Sequence, residues 1–576
     1  MPFDPSKKTA IHTLALLLCL VMPCFTLAQG AALEKSVADL MEEARVALST
    51  SEYDVAINLY TRVIARDDLQ YQMLALEYLG VAREKNGQLA HAKAIYEQFL
   101  EKYPLDKSAS RVRQRLNALI TAASKPKEKL RQIEKKPARE RMEWSGFGGF
   151  SQYYRHYDLK VEDDISDRET DIDIESSLSS DLFYSVRGRN SSWDLEFRLG
   201  AGYLNDFLAD SDDEDRLSEL YADIEHSDTG HALRIGRQRG NNAGVLSRFD
   251  GIQTSFQLSD SYQLNLLYGF PVETTNDVSI NDDKKLYGIN LDAGPFGGWE
   301  FTPFYVEQRV DSLLERKAAG LETRYFDQSK TLFTLIDYDI EFEEINNILA
   351  IGSWRLSSAT TITTNIDLRK SPLLLISNAL QGQSEESIEE LHKRFDEDEL
   401  RKIAADRSAD STLISTGVNH RLNQRWTLYS SVTMTRLSSM PASAGVAELD
   451  GTGNEWSYDV QFISSGLIKE YDTGICSLRY FDGSRSQRTT ANLDFRYPLN
   501  QNLRISPRMR IDFRKNTDND TEQWIYKPSL RMTYRHHKKY HFEFELGGEW
   551  SDRQLSGNNE EKSQGLFGTV GYRIDL

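Results

Sequence analysis

Seven cations recur within one stretch of this chain: Arg496, Arg504, Arg508, Arg510, Lys527, Arg531 and Arg535. Three carboxylates follow at alternate or near-alternate places, Glu543, Glu545 and Glu549. Apolar residues lie between them, among them Met509, Ile511, Leu530, Met532, Phe544 and Leu546. In an extended strand successive side chains point to opposite faces, so the charges share one face and the apolar residues the other. One reading is a basic track for an anionic solute or polymer, bounded by an acidic wall. The other is an internal salt-bridge lattice that stiffens the strands carrying it.

Catalytic chemistry has no comparable signature. The chain contains no HExxH, GxSxG, Walker loop or paired cysteines, and its ten histidines are scattered. His536 and His537 fall in a short turn between Arg535 and Lys539. The reading is therefore a non-enzyme, with no catalytic, cofactor or metal site assigned. Acidic stretches at 158–169 and 204–216, the latter ending DSDDEDR at Arg216, offer carboxylates for a divalent cation. They lack the spacing of a calcium-binding loop, so solvation is the preferred account.

The elements that would position the charged ladder are strands. From Glu143 onward the apolar period is two. Trp193, Leu195, Phe197 and Leu199 alternate with Asp194, Glu196 and Arg198, and Tyr540, Phe542, Phe544, Leu546 and Trp550 repeat the pattern. One apolar and one wet environment fit either a sandwich of two packed sheets or a membrane barrel. Short turns (188–192, 227–230, 259–261, 357–360, 423–424, 499–502) alternate with longer loops (158–169, 204–216, 236–249, 271–284, 371–408, 438–455, 551–563). That rhythm belongs to outer-membrane barrels. All eight tryptophans lie here, near proposed strand ends. Trp144, Trp193, Trp299, Trp354 and Trp426 lie on the turn side, and Trp456, Trp524 and Trp550 on the loop side, as two interfacial girdles would require. The rhythm gives about 22 strands at roughly 20 residues per strand and connection. The chain ends in apolar-alternating Tyr572-Arg573-Ile574-Asp575-Leu576, which suits a terminal barrel strand.

Composition agrees. A net charge of −19 argues against a nucleic-acid partner, whose phosphates need clustered cations. A mean hydropathy of −0.54 excludes a bundle of membrane-spanning helices but not a barrel.

Before the barrel, three segments are distinguished. Residues 1–28 read as a secretory signal peptide, with Lys7 and Lys8, an apolar run from Ala10 to Met22, and Thr26-Leu27-Ala28 at the cleavage position. Its removal takes Cys19 and Cys24, leaving Cys476 as a small apolar strand residue. Residues 29–124 are rich in Ala, Leu, Glu and Lys and read as helices. Leu79, Gly80, Gly87, Ala92, Tyr96, Phe99 and Pro104 fall at repeat-like offsets, with Tyr53, Ala56, Tyr60 and Val63 taking matching places 36 residues earlier where both are present, as in Ala56 to Ala92. This region resembles tetratricopeptide repeats of periplasmic envelope proteins. The phrase Phe99-Leu100-Glu101-Lys102-Tyr103-Pro104 is similar to repeats of barrel-assembly lipoproteins and the Tol–Pal coordinator family. Two repeats are counted, and residues 107–122 read as a capping helix with Val112, Leu116 and Ile120 at a spacing of four. The resemblance implies a groove for a periplasmic protein or peptide; the plainer alternative is a helical spacer. Residues 125–142 read as a basic linker, broken by Pro126 and Pro137, either a tether or a segment touching anionic headgroups.

The fold class expected is thus α+β and multidomain: a small helical repeat domain before an antiparallel transmembrane barrel over 143–576. Within the barrel, loop 371–408 should hold a helix, started by a capping box of Ser387 and Glu390, with Ile388, Leu391, Phe395, Leu400 and Ile403 on its apolar side. Such a helix would constrict the lumen or lie over its mouth. Repeats before a barrel resemble the architecture of outer-membrane exopolysaccharide exporters. The resemblance implies a channel or assembly platform in the outer membrane, in contact with its lipid and passing or exporting a polar substrate, whether a small solute or a polymer. The competing expectation is a structural or adhesive barrel with a blocked lumen, acting as an envelope scaffold.

Overall fold

The computed structural model describes residues 36–116, except 51, 67, 87, 104–105, 107 and 110, and residues 141–576, except 164–167, 210, 241–243, 246 and 556–559. The expected signal peptide, Gly87, Pro104, Ile120 and nearly all of the expected linker lie outside those residues. The chain divides into two compact units, one helical and one a barrel.

The helical unit holds α1 (Val37–Ser49), α2 (Tyr53–Ala65), α3 (Leu69–Lys85) and α4 (Leu89–Lys102), with residues 111–116 again helical. Ser36 starts α1 through a reciprocal cap with Asp39, which satisfies amides the helix leaves unpaired. Short connections bring successive helices together in antiparallel pairs. One core gathers Leu40, Ala44, Ala56, Tyr60, Val63 and Leu79. A second gathers Ala92, Tyr96, Phe99, Val112 and Leu116, so the segment after α4 does cover its end. Gly80 is required at the α3–α4 contact, because a Cβ there would lie 2.3 Å from the Tyr96 ring. Tyr96 Oη donates to Glu84 at 2.6 Å, and Arg115 holds the same carboxylate at 3.1 Å. Burial, and then the bond to Glu84, pushes the Tyr96 phenol well above its ordinary value.

In the barrel unit each strand pairs antiparallel with the next. The last, β22 (Glu560–Asp575), pairs with β1 (Glu143–Asp163), closing a ring of 22 strands. Closure leaves no unpaired edge. β1 begins and β22 finishes at the same end, where connections are mostly tight, as at 190–192, 260–261 and 356–359. The opposite end carries 273–283, 438–454 and 372–408.

The expected alternation of short and long connections is not strict. At the loop end 311–312, 340–343 and 483–485 are as tight as turns, and at the turn end 466–472 is long. Strands also run further than expected. β1 continues to Asp163, through much of the loop anticipated at 158–169, and β3 (Trp193–Asp206) and β4 (Glu214–His226) shorten the one at 204–216. Backbone pairing needs no apolar face, and charged side chains support it there: Lys160 pairs across to Glu169 and Asp171 at 3.5 and 3.3 Å.

Loop 372–408 does not form one helix. A short 3₁₀ turn (Ile376–Leu380) precedes α5 (Ile388–His392) and α6 (Glu397–Asp406). Asp396 breaks the run by capping a new helix. It accepts from Glu399 N at 2.9 Å, and Glu399 returns a bond to Asp396 N at 3.0 Å. At Ser387 only half of the anticipated box forms, the bond from Glu390 N at 3.3 Å. Ile388, Leu391, Leu400 and Ile403 are buried together against Val310 and Leu313, which flank the connection between β9 (Trp299–Val310) and β10 (Leu313–Phe326).

Candidate functional site: the inner wall of the barrel

The two faces of the sheet differ in chemistry, and contacts that skip a strand identify the concave one. Tyr157 on β1 donates to Glu549 on β21 (Tyr540–Gln554) at 2.6 Å, reaching over β22. Arg508 on β19 (Leu503–Asn516) contacts Glu545 on β21 at 3.3 Å, reaching over β20 (Glu522–His536). Side chains two strands apart meet over the strand between them only on the inside of a curved sheet. The outer face carries exposed Tyr184, Phe197, Ile289, Leu321, Val432, Leu546 and Val570. The tryptophans stand near the strand ends, Trp144, Trp193, Trp299, Trp354 and Trp426 at the turn end and Trp456, Trp524 and Trp550 at the loop end.

Register places the sequence-derived residues on this inner wall as follows. Arg496 lies on β18 (Ser486–Pro498), Arg504, Arg508 and Arg510 on β19, Lys527, Arg531 and Arg535 on β20, and Glu543, Glu545 and Glu549 on β21. Arg510 opposes Lys527, and Arg531 opposes Glu545. The middle of the ladder is ion-paired. Arg531 binds Glu543, and Lys527 binds Glu549. Arg508 bridges Asp494 (3.6 Å) and Glu545 (3.3 Å), while Arg510 binds Asp512 (2.6 Å) and Arg496 binds Asp494 (3.3 Å). The ends are not. Among the described residues Arg504 has no ion pair, and Arg535 donates only to the Lys538 carbonyl at 3.4 Å.

Two cations that sequence reasoning missed stand nearer the loop end. Arg488 on β18 directly opposes Arg514 on β19. Both are exposed, and neither makes an ion pair or side-chain hydrogen bond among the described residues. Like charges facing each other across a ladder destabilise it unless an anion or solvent lies between them. The signal was available, since Arg488, Thr490, Asn492, Asp494 and Arg496 occupy one face at alternate places.

The opposite part of the wall is packed rather than open. Gly244 and Val245 lie against it, with Val245 buried among Phe249, Leu267, Leu286, Phe304 and Val306. Gly244 has φ +77, and a Cβ there would lie 2.4 Å from the Phe304 ring. Its carbonyl accepts from Arg316 Nη1 at 3.1 Å. Arg316 is 1% exposed and pairs with fully buried Asp337, with Asp339 at 3.9 Å. This arrangement fastens an inward segment to β10 and β11 (Lys330–Asp339). Among the described residues no group of three or more His, Cys, Asp and Glu is placed to hold a metal ion.

No protein-family model matches this chain, and no curated protein matches it in sequence. Solved structures similar to it include OccK2 (OpdF) of Pseudomonas aeruginosa, at 12% identity and a TM-score of 0.32, covering 75% of this chain and 100% of that one. The same protein in complex with glucuronate matches at 12% identity and 0.31, again covering 75% and 100%. OccAB3 of Acinetobacter baumannii matches at 8% identity and a TM-score of 0.33, covering 75% of this chain and 100% of that one.

Proposed function

We propose that the barrel spans the outer membrane and forms a channel for polar, predominantly anionic solutes, including polymeric ones. The observation carrying this is the division of one closed 22-stranded sheet into an apolar outer face and an inner wall with unpaired arginines. Arginine on the lipid side would cost about 2–4 kcal/mol at the bilayer midplane, whereas on the wet side it attracts anions. Tryptophans near both strand ends suit the two headgroup layers. The turn end, where β1 starts, faces the periplasm in this reading. The helical unit preceding β1 is then periplasmic, and its paired helices act as tetratricopeptide repeats that recruit a protein or peptide. The Gly80–Tyr96 approach and the Ala92 and Phe99 packing support that assignment.

A second reading, a scaffold with a blocked lumen, draws on the inward-packed Gly244 and Val245 and the buried Arg316 that anchors them. Planar-bilayer recording of the purified protein separates the two. Ion conductance with a reversal potential favouring anions fits the channel, and a silent bilayer fits the scaffold. Recovery of the protein in the soluble periplasmic fraction would remove both.

A further inference from the structure

The inner wall carries one feature that anion conduction does not use. Phe147 on β1 and Phe183 on β2 (Arg168–Arg189) have ring centroids 5.8 Å apart. Phe147 opposes Ser185, and Phe183 opposes Gly149, on the face that also carries Asp181 and Arg187. The rings are 59% and 37% exposed on that polar face. Phe249 and Phe304, on another part of the same wall, are buried. Leaving apolar ring surface in water forgoes about 25 cal/mol per Å².

The surroundings of the pair are polar and roomy. The rings border a cavity of about 660 Å³, within the size range of small-molecule sites. Its floor is Gly149, Gly200 and Gly202, which project no side chain into it. A Cβ on Gly202 would lie 2.8 Å from Asp181 Oδ1, whereas one on Gly149 would meet nothing closer than a backbone oxygen at 3.6 Å. On one side Asp181 accepts from Arg216 Nη2 at 3.1 Å and from Ser179 Oγ at 3.0 Å. On the other, Arg573 pairs with Asp575 at 3.0 Å. Arg216 and Arg248 also line the cavity, and the Nε of each is buried without a hydrogen-bond partner. An unmet buried donor is costly.

Flat apolar surface beside carboxylates and guanidinium groups matches one solute class. A pyranose ring has an apolar C–H face and a rim of hydroxyls. We propose that Phe147 and Phe183 form the platform of a saccharide-binding subsite in the barrel wall. One sugar face stacks on one ring while the other, tilted 44° to it, meets the sugar's edge, Asp181 and Asp575 accept from hydroxyls, and Arg216 and Arg248 donate to ring substituents. The assignment rests on the reading of the inner wall as the surface a solute meets.

The test uses the full-length protein in detergent, titrated calorimetrically with oligogalacturonate and with a neutral cello-oligosaccharide, and the same sugars added to planar bilayers. At least one sugar should bind and interrupt the current. Phe147→Ala and Phe183→Ala should each weaken binding about ten-fold, the scale on which loss of one stacking ring acts at other π-face sites. Gly149→Leu should fill the cavity and abolish binding while the protein keeps its β circular dichroism. Conductance with no binding of either sugar overturns the subsite and leaves the channel. Binding that is lost in these variants, in a protein that does not conduct, upholds the subsite and rejects the channel. Equal binding by wild type and all three variants overturns the subsite outright.

Discussion

Arg488 and Arg514 face each other across the ladder between β18 and β19, and no carboxylate among the described residues pairs with either. A few residues along the same strands, Arg510 and Arg508 are each held by an acid, Asp512 and Glu545. The ladder is therefore unpaired at its ends and neutralised in its middle. Replacing Arg488 and Arg514 together by Gln should shift the reversal potential toward cations, with the shift shrinking in high salt as screening shortens. An unchanged reversal potential at low salt would remove these residues from selectivity.

The middle of the ladder should behave differently. Arg508→Gln, Arg510→Gln and Arg531→Gln each leave an acid without its partner, at Glu545, Asp512 and Glu543. The arginines are 29–46% exposed but the acids they leave are only 6–19% exposed, so each loss should cost about 1–3 kcal/mol. The expected readout is a lower temperature for heat-induced conversion on a denaturing gel, with a smaller change in selectivity than Arg488 and Arg514 give. A larger selectivity change from the middle would reverse this division.

Period-two alternation made the barrel legible, because a closed sheet with one apolar and one wet face forces it on every strand. Trp193 and Trp550 mark opposite ends for the same reason. Long-range geometry was not legible. Phe147 and Phe183 stand among glycines and polar residues, at Gly146, Gly148, Gly149, Asp181 and Ser185, and only pairing of β1 with β2 puts both rings on the wet face. Arg316, Asp337 and Asp339 meet because β10 and β11 pair, and nothing local distinguishes them from solvent-facing strand charges. The acidic mark of a new helix at Asp396 was in the sequence, but the apolar spacing from Ile388 to Ile403 runs across it and suggested one helix. Strand lengths were underestimated where charges on both faces hid pairing that the backbone itself sustains.

Gly244 and its anchor provide a separate test. Gly244 sits at positive φ with no room for a Cβ beside Phe304, so Gly244→Val should displace the segment from the wall. Arg316→Met should act on the same anchor and also strand Asp337 and Asp339, both 0% exposed. Removing one partner of such a buried pair costs about 3–5 kcal/mol. If the segment narrows the lumen, single-channel conductance should rise in Gly244→Val. Conductance equal to wild type, with the expected loss of thermal stability in Arg316→Met, would make the anchor purely architectural.

The helical unit gives the last prediction. Its two cores are formed by residues of 36–116 alone, so a fragment spanning 29–124 should fold by itself and show helical circular dichroism. Tyr96 is fully buried, and Tyr96→Ala should cost about 3–5 kcal/mol through the cavity it leaves beside Phe99 and Val112. Tyr96→Phe keeps the ring and removes only the bond to Glu84, which Arg115 still holds, so about 0.5–1.5 kcal/mol is expected. Titration separates the two contributions. Burial raises the phenols of Tyr96 and Tyr60 in the folded unit, while an unfolded phenol titrates near about 10. For an acid whose folded value is raised, the unfolded chain loses its proton first as pH rises. The stabilisation is complete below the unfolded value and is lost progressively above it, toward the folded value. Wild-type fragment should therefore melt at falling temperatures above about pH 10, and the Tyr60→Phe, Tyr96→Phe double variant should lose much of that slope. A slope that survives in the double variant would assign the alkaline loss to other groups, and a fragment without helical signal would mean the unit needs the rest of the chain to fold.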